Sequence, residues 1–147
     1  MTKHDAMVAY ISPEIEKLTG GATTFNFAND APGSVSFLTS YSGKIVKRYV
    51  RAADKEYGFS VIFTWYYSPD MDSTNVEAMN MAQMLIDWIK EQDRERNYPN
   101  FGEECQIKKI EVLQNMPDLA TVDLENNLAQ YMVQCRVIYF EKEKRRI

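Results

Sequence analysis

The chain has 147 residues, 45% of them apolar and 26% charged, which is enough for one hydrophobic core and unlike the composition of a disordered chain. A net charge of −4 and a pI near 5.1 exclude the dominant basic face of a general nucleic-acid binder. Two cysteines make no disulfide framework, and no apolar run reaches the roughly 18 residues that cross a bilayer, so a cytoplasmically made chain without a signal sequence, with reduced thiols, is expected.

The spacing of Met7, Tyr10, Ile11, Ile15 and Leu18 predicts a helix over 5–18, with Asp5 as N-cap, Thr19-Gly20-Gly21 as stop and Pro13 as an internal kink or division. Thr24-Phe25-Asn26-Phe27 reads as a short strand and Asn29-Asp30-Ala31-Pro32-Gly33 as a turn. Val35 to Thr39 reads as another short strand, closed by a turn at Tyr41-Ser42-Gly43. Ile45 to Arg51 alternates as a strand, and Asp54-Lys55-Glu56 reads as its break. The clearest strand follows: Tyr57, Phe59, Val61, Phe63, Trp65 and Tyr67 share one face.

Ser68-Pro69-Asp70 ends that strand and an amphipathic helix is predicted over 73–93, with a capping box at Thr74 and Glu77. Its apolar stripe holds Val76, Ala78, Met81, Ala82, Leu85, Trp88 and Ile89. After a turn at Pro99-Asn100-Phe101-Gly102, Cys105 to Leu113 reads as a strand, with a bulge suggested by the opposite parity of Ile107 and Ile110. Gln114 to Asn127 reads as a polar loop. Leu128 to Glu141 is the last strand, with Tyr131, Val133, Cys135, Val137 and Tyr139 inward. The order lacks βαβα alternation. It predicts one α+β domain over 1–147, a mostly antiparallel sheet with helices packed on one face. Phe59, Val61, Phe63, Trp65, Leu85, Trp88, Val133, Cys135 and Val137 are the expected core.

Chemistry is sparse. His4 is the single histidine and falls in a terminus expected to be mobile. Cys105 and Cys135 have neither CxxC spacing nor a partner histidine and read as structural thiols. Glu103-Glu104 and the carboxylates Asp87, Glu91, Asp93 and Glu95 are interleaved with Lys90, Arg94 and Arg96, the pattern of a solvated face more than of a cation site. No phosphate loop, nucleophile elbow or dinucleotide fingerprint is present. The residues therefore predict no catalytic group, no metal and no cofactor. The basic cluster Lys44, Lys47, Arg48 and Arg51 has two readings: an edge strand protected by charge, or a contact with an acidic neighbour such as another copy of the chain. The stretch from Asp70 to Glu104, with nine acidic and three basic residues, is a candidate complement.

Several segments occur in a particular order. They are Phe25-Asn26-Phe27 and Ala31-Pro32-Gly33-Ser34-Val35-Ser36, then Lys47-Arg48-Tyr49-Val50, Leu85-Ile86-Asp87-Trp88-Ile89 and Tyr98-Pro99-Asn100-Phe101-Gly102, and last Ala129-Gln130-Tyr131-Met132-Val133-Gln134-Cys135-Arg136-Val137-Ile138-Tyr139-Phe140. Read together from Thr24 to Glu141, the chain resembles a family from phages of Gram-positive bacteria, commonly called minor capsid proteins, which are similar to tail terminators. The family often carries an Asp-Gly turn where Ala52-Ala53-Asp54 stands here. The resemblance implies a virion protein assembled in the host cytoplasm. It would be one subunit of a ring, sixfold by analogy, that caps the tail tube, meets the head connector proteins and lets DNA pass through its lumen without specific binding. It implies no catalytic residues and no membrane contact. A head-completion or connector adaptor remains an alternative, and a small carboxylate- or thiol-dependent enzyme is a more distant one.

Overall fold

The computed structural model describes residues 2–19, 23–25, 35–66, 72–114, 118–123, 125 and 127–143. The turn expected at 29–33 and the end of the aromatic strand at Tyr67 lie outside these residues, as does the side chain of Thr74 in the expected capping box.

Helix α1 runs Lys3–Thr19, continuous through Pro13. Asp5 does not cap it from outside, as the sequence suggested. Thr2 does: its hydroxyl accepts the Asp5 amide at 3.1 Å, while the Asp5 carboxylate accepts the Thr2 amide at 3.0 Å. This reciprocal pair is a capping box with aspartate in the usual place of glutamate. Met7, Ile11 and Ile15 are fully buried, one turn apart. Strand β1, Thr23–Phe25, pairs parallel with the start of β2, Val35–Tyr49.

Strand β2 overturns the expected turn at Tyr41-Ser42-Gly43. It is one strand of 15 residues, interrupted by irregularities between Thr39 and Tyr41, Ser42 and Lys44, and Ile45 and Lys47. Gly43 sits at φ +79°, a conformation that marks a bulge here as readily as a turn. The chain reverses at Val50 and Arg51 into β3, Ala52–Tyr66, so Asp54-Lys55-Glu56 is the opening of a strand and not a break. Each of these three charges finds a partner on another strand, Asp54 with Lys108, Lys55 with Glu141 and Glu56 with Arg136, which is why a charged run tolerates the sheet.

Helix α2, Asp72–Glu95, is followed by β4, Cys105–Val112, β5, Asp118–Asp123, and β6, Leu128–Lys142. The region expected as a polar loop thus contains β5. The sheet order is β1-β2-β3-β6-β4, with β5 also on β6. Strands β4 and β5 lie end to end along β6: β4 meets Cys135 to Glu141 and β5 meets Leu128 to Met132. In the break between them the Gln114 side chain replaces a peptide group. Its amide donates to the Met132 carbonyl at 2.8 Å and its oxygen accepts the Gln134 amide at 3.2 Å. The expected bulge in β4 falls between Ile107 and Lys109.

Only β1–β2 is parallel among these pairs, and both helices pack on one face of the sheet, so the fold is α+β as expected. The core joins Met7, Ile11 and Ile15 of α1 and Leu85, Ile86 and Ile89 of α2 to Phe59, Val61, Phe63, Val133, Cys135 and Val137. Trp65 and Trp88, expected inside, sit at its margin. Trp88 packs on Tyr10 with ring centroids 5.3 Å apart. No helix among the described residues is long and apolar enough to cross a membrane.

Candidate assembly surface

The four cations singled out by the sequence gather at one end of the sheet. Lys44, Lys47 and Arg48 lie on β2, and Arg51 stands in the reversal at φ +60° and not on the strand itself. All four are exposed. None of them enters a salt bridge among the described residues. Lys44 and Lys47 lie opposite Glu56 and Asp54 in the β2–β3 register, so part of their charge is answered within the chain. Their ammonium groups rest over the rings of Tyr41 and Tyr49, at 5.4 and 5.2 Å.

The composition of this hairpin end goes beyond edge protection. Ile45, Val46, Tyr49 and Val50 are all exposed large apolar residues, and Val50 keeps 93% of its surface in solvent. A strand defended only against unwanted pairing needs charge, not four apolar side chains set among the charges. Beyond Phe37, β2 has β3 as its one pairing partner among the described strands, so its outer edge is open there. The carbonyl of Arg51 accepts the Glu143 amide at 2.9 Å, which fixes the reversal to the end of β6.

Beside the hairpin is an open groove of about 630 Å³. Tyr49 and Phe140 line one side, with rings 5.8 Å apart. Arg94, Arg96 and Tyr98, just at and beyond the end of α2, line the other, together with Lys108 in the β4 bulge. Lys108 donates to Asp54 at 2.8 Å, and the Tyr49 hydroxyl donates to the same carboxylate oxygen at 2.8 Å. The Lys108 hydrogen bond, with that from Tyr49, holds the Asp54 carboxyl below its usual range despite burial. Asp93, the acid in the groove, is occupied by the fold: it accepts the Ile110 amide at 3.1 Å and the Tyr98 hydroxyl at 2.9 Å. The sequence did not reveal this groove, because its cations come from α2 and β4 while its aromatic wall comes from β2 and β6.

The residues considered for chemistry are scattered. His4 is exposed in the first turn of α1, and so belongs to a helix where the sequence suggested a mobile terminus. Its Nδ1 shares a hydrogen bond of 2.8 Å with the hydroxyl of Tyr57, which shares another of 2.7 Å with Thr39. Cys135 is buried, and burial pushes its thiol up. Cys105 donates to Glu141 at 3.1 Å; burial, then that carboxylate, push its thiol up to about 11. Asp87, Glu91 and Glu95 are exposed on α2, and Glu103 and Glu104 are exposed ahead of β4. Among the described residues no three His, Cys, Asp or Glu side chains converge as metal ligands would.

No protein-family model matches the chain, and no curated protein gives a significant match.

Proposed function

We propose that the protein is a structural subunit of a bacteriophage particle. It closes with copies of itself into a ring, sixfold by analogy, that terminates the tail tube and joins it to the head connector, with DNA passing through the lumen unbound. The observation that carries this reading is the hairpin end, where Ile45, Val46, Tyr49 and Val50 are exposed among Lys44, Lys47, Arg48 and Arg51. Apolar residues bounded by one sign of charge suit a subunit contact that must find its partner in one orientation. A ring repeats one heterologous contact, so a single such surface, met by a different surface of the next copy, suffices. The ordered resemblance from Thr24 to Glu141 supplies the phage context. The two thiols, both held protonated, favour a structural role over thiol catalysis.

Light scattering of the purified protein, alone and with tail-tube protein, tests the reading. A closed oligomer that binds tube ends is expected, weaker at high salt. A protein that stays monomeric at every concentration, with or without tubes, would overturn it. A connector adaptor would form a similar ring on the head side, and labelling in electron micrographs of particles separates the two by position.

A further inference from the structure

We infer that Met84, on the outer face of α2, seats in a hollow beneath the β2–β3 hairpin of a second copy, an inference that rests on the proposed self-assembly. Helix α2 buries Ala82, Leu85, Ile86 and Ile89 against the sheet, which turns Asn80, Met84, Asp87 and Glu91 outward at spacings of three and four. Met84 keeps 55% of its surface in solvent, and no other large apolar residue is so exposed on either helix among the described residues. Acids border it. From Glu77 to Glu91 the exposed charges are Glu77, Asp87 and Glu91, against Lys90 alone. Arg94, the next cation along, reaches Glu91 only at 3.7 Å and between exposed side chains.

The hairpin end has the complementary character. From Lys44 to Arg51 it carries four exposed cations and no acid, set among Ile45, Val46, Tyr49 and Val50. Ile45 and Ala52, with Arg48 and Lys142, line a hollow of about 120 Å³, room for one unbranched apolar side chain of the kind that fills irregular gaps. Two acids also line it. Glu141 is already held by Lys3 and Lys55, and Glu143 directly follows Lys142. Arg48 enters no salt bridge among the described residues, so it is left to meet an incoming carboxylate. The spacings agree. Glu91 lies roughly 10 Å along α2 from Met84 at about 1.5 Å per residue, and Arg48 lies roughly 10 Å along β2 from Ile45 at about 3.3 Å per residue. Met84 set on Ile45 thus brings Glu91 to Arg48. The contact cannot form within one chain, because Met84 points away from the sheet that carries the hollow. Two hairpin ends facing each other would oppose like charges. A helix face against a hairpin is instead the heterologous contact that a ring or filament repeats.

Mixing charge-reversed variants tests this directly. R48E/R51E sets carboxylates of the hairpin against those of the helix, and D87K/E91K sets cations of the helix against those of the hairpin. Each alone is expected to need at least about tenfold more protein than the wild type to assemble, as read by light scattering at low salt. The equimolar mixture is expected to recover, since every contact in an alternating assembly again joins opposite charges. M84A, which changes no charge, is expected to raise the required concentration a few-fold. Assembly of D87K/E91K or M84A at wild-type concentrations overturns the inference, as does a mixture of folded variants that stays monomeric. If those results come with normal wild-type rings, the ring reading stands and only this contact falls. If the wild type never assembles, both fall. Should the helix reversal unfold the chain by circular dichroism, E91Q takes its place beside M84A, with a few-fold rise expected and no change overturning the contact.

Discussion

Glu141 is a residue on which three elements converge. Lys3 from α1 and Lys55 from β3 meet its two oxygens at 2.8 and 2.7 Å, and Cys105 of β4 donates to it as well. Burial raises its carboxyl, but the hydrogen bonds from Lys3, Lys55 and Cys105 outweigh burial and bring it to about 2. The folded value lies below the ordinary carboxylate value, so the stabilisation is fully present above the unfolded pKa and is lost as pH falls through the folded one. The window runs from about pH 4.5 down to about 2. Discounted for the solvent that reaches a partly exposed carboxylate, Glu141→Gln should cost about 2 kcal/mol at pH 7. Urea unfolding of wild type and E141Q across that window should show the gap closing toward pH 2. A gap that stays constant with pH would mean that the ionised carboxylate is not what ties these elements together.

At the scale of elements, β3 owes its position to a glycine. The ring of Tyr41, on β2, lies over Gly58, where an added Cβ would sit 2.5 Å from the ring carbons. The same tyrosine donates to Glu56 at 3.1 Å, and Arg136 of β6 donates to Glu56 at 2.9 Å and also to Glu111 of β4. One polar stripe thus crosses four strands on the face without helices. Gly58→Ala should swing the tyrosine outward and cost about 1–2 kcal/mol, chiefly through the lost hydrogen bond and packing. In a Tyr41→Ala background the same change should cost much less, a non-additivity that thermal unfolding of the double-mutant cycle reads out. Equal costs in both backgrounds would acquit the ring.

This stripe also explains which parts of the fold the sequence disclosed. The aromatic alternation from Tyr57 to Trp65 and the stripe of α2 were legible because burial on one face imposes a period. The charges of Asp54, Lys55 and Glu56 concealed a strand because their partners, Lys108, Glu141 and Arg136, lie more than 50 residues away in the chain. Gly43 concealed another, since a positive-φ glycine in a bulge and one in a turn look alike in sequence. Strand β5 was hidden because its ladder needs only an edge of β6, with the Gln114 amide bridging the gap before it. Of the candidate surface, the four cations were visible as a cluster. The exposed apolar residues among them, and the groove cations from α2 and β4, became visible only once the strands were in register.

At the scale of the whole molecule, the proposed ring would draw on charges other than those that hold the fold. The core face is closed by both helices, whereas Arg48 and Arg51 are exposed and enter no salt bridge among the described residues. Reversing both, R48E/R51E, should leave the monomer within about 0.5 kcal/mol of wild type, because exposed substitutions rarely do more. On the proposed function it should abolish ring closure and tail completion, and the proposed wild-type ring should loosen as salt rises, since charges at a contact rim are screened over roughly 8–10 Å near physiological ionic strength. Arg51 allows a sharper separation. It holds φ +60°, a region that a side chain enters at a cost and glycine enters freely. Arg51→Gly should therefore raise the monomer's stability by up to about 1 kcal/mol while weakening assembly. Chemical denaturation of the monomer and light scattering of the assembled protein would then move in opposite directions. A variant that is stabler and still assembles at wild-type concentrations would show that this arginine serves neither the fold nor the ring, and the contact would have to rest on Ile45, Val46, Tyr49 and Val50 alone.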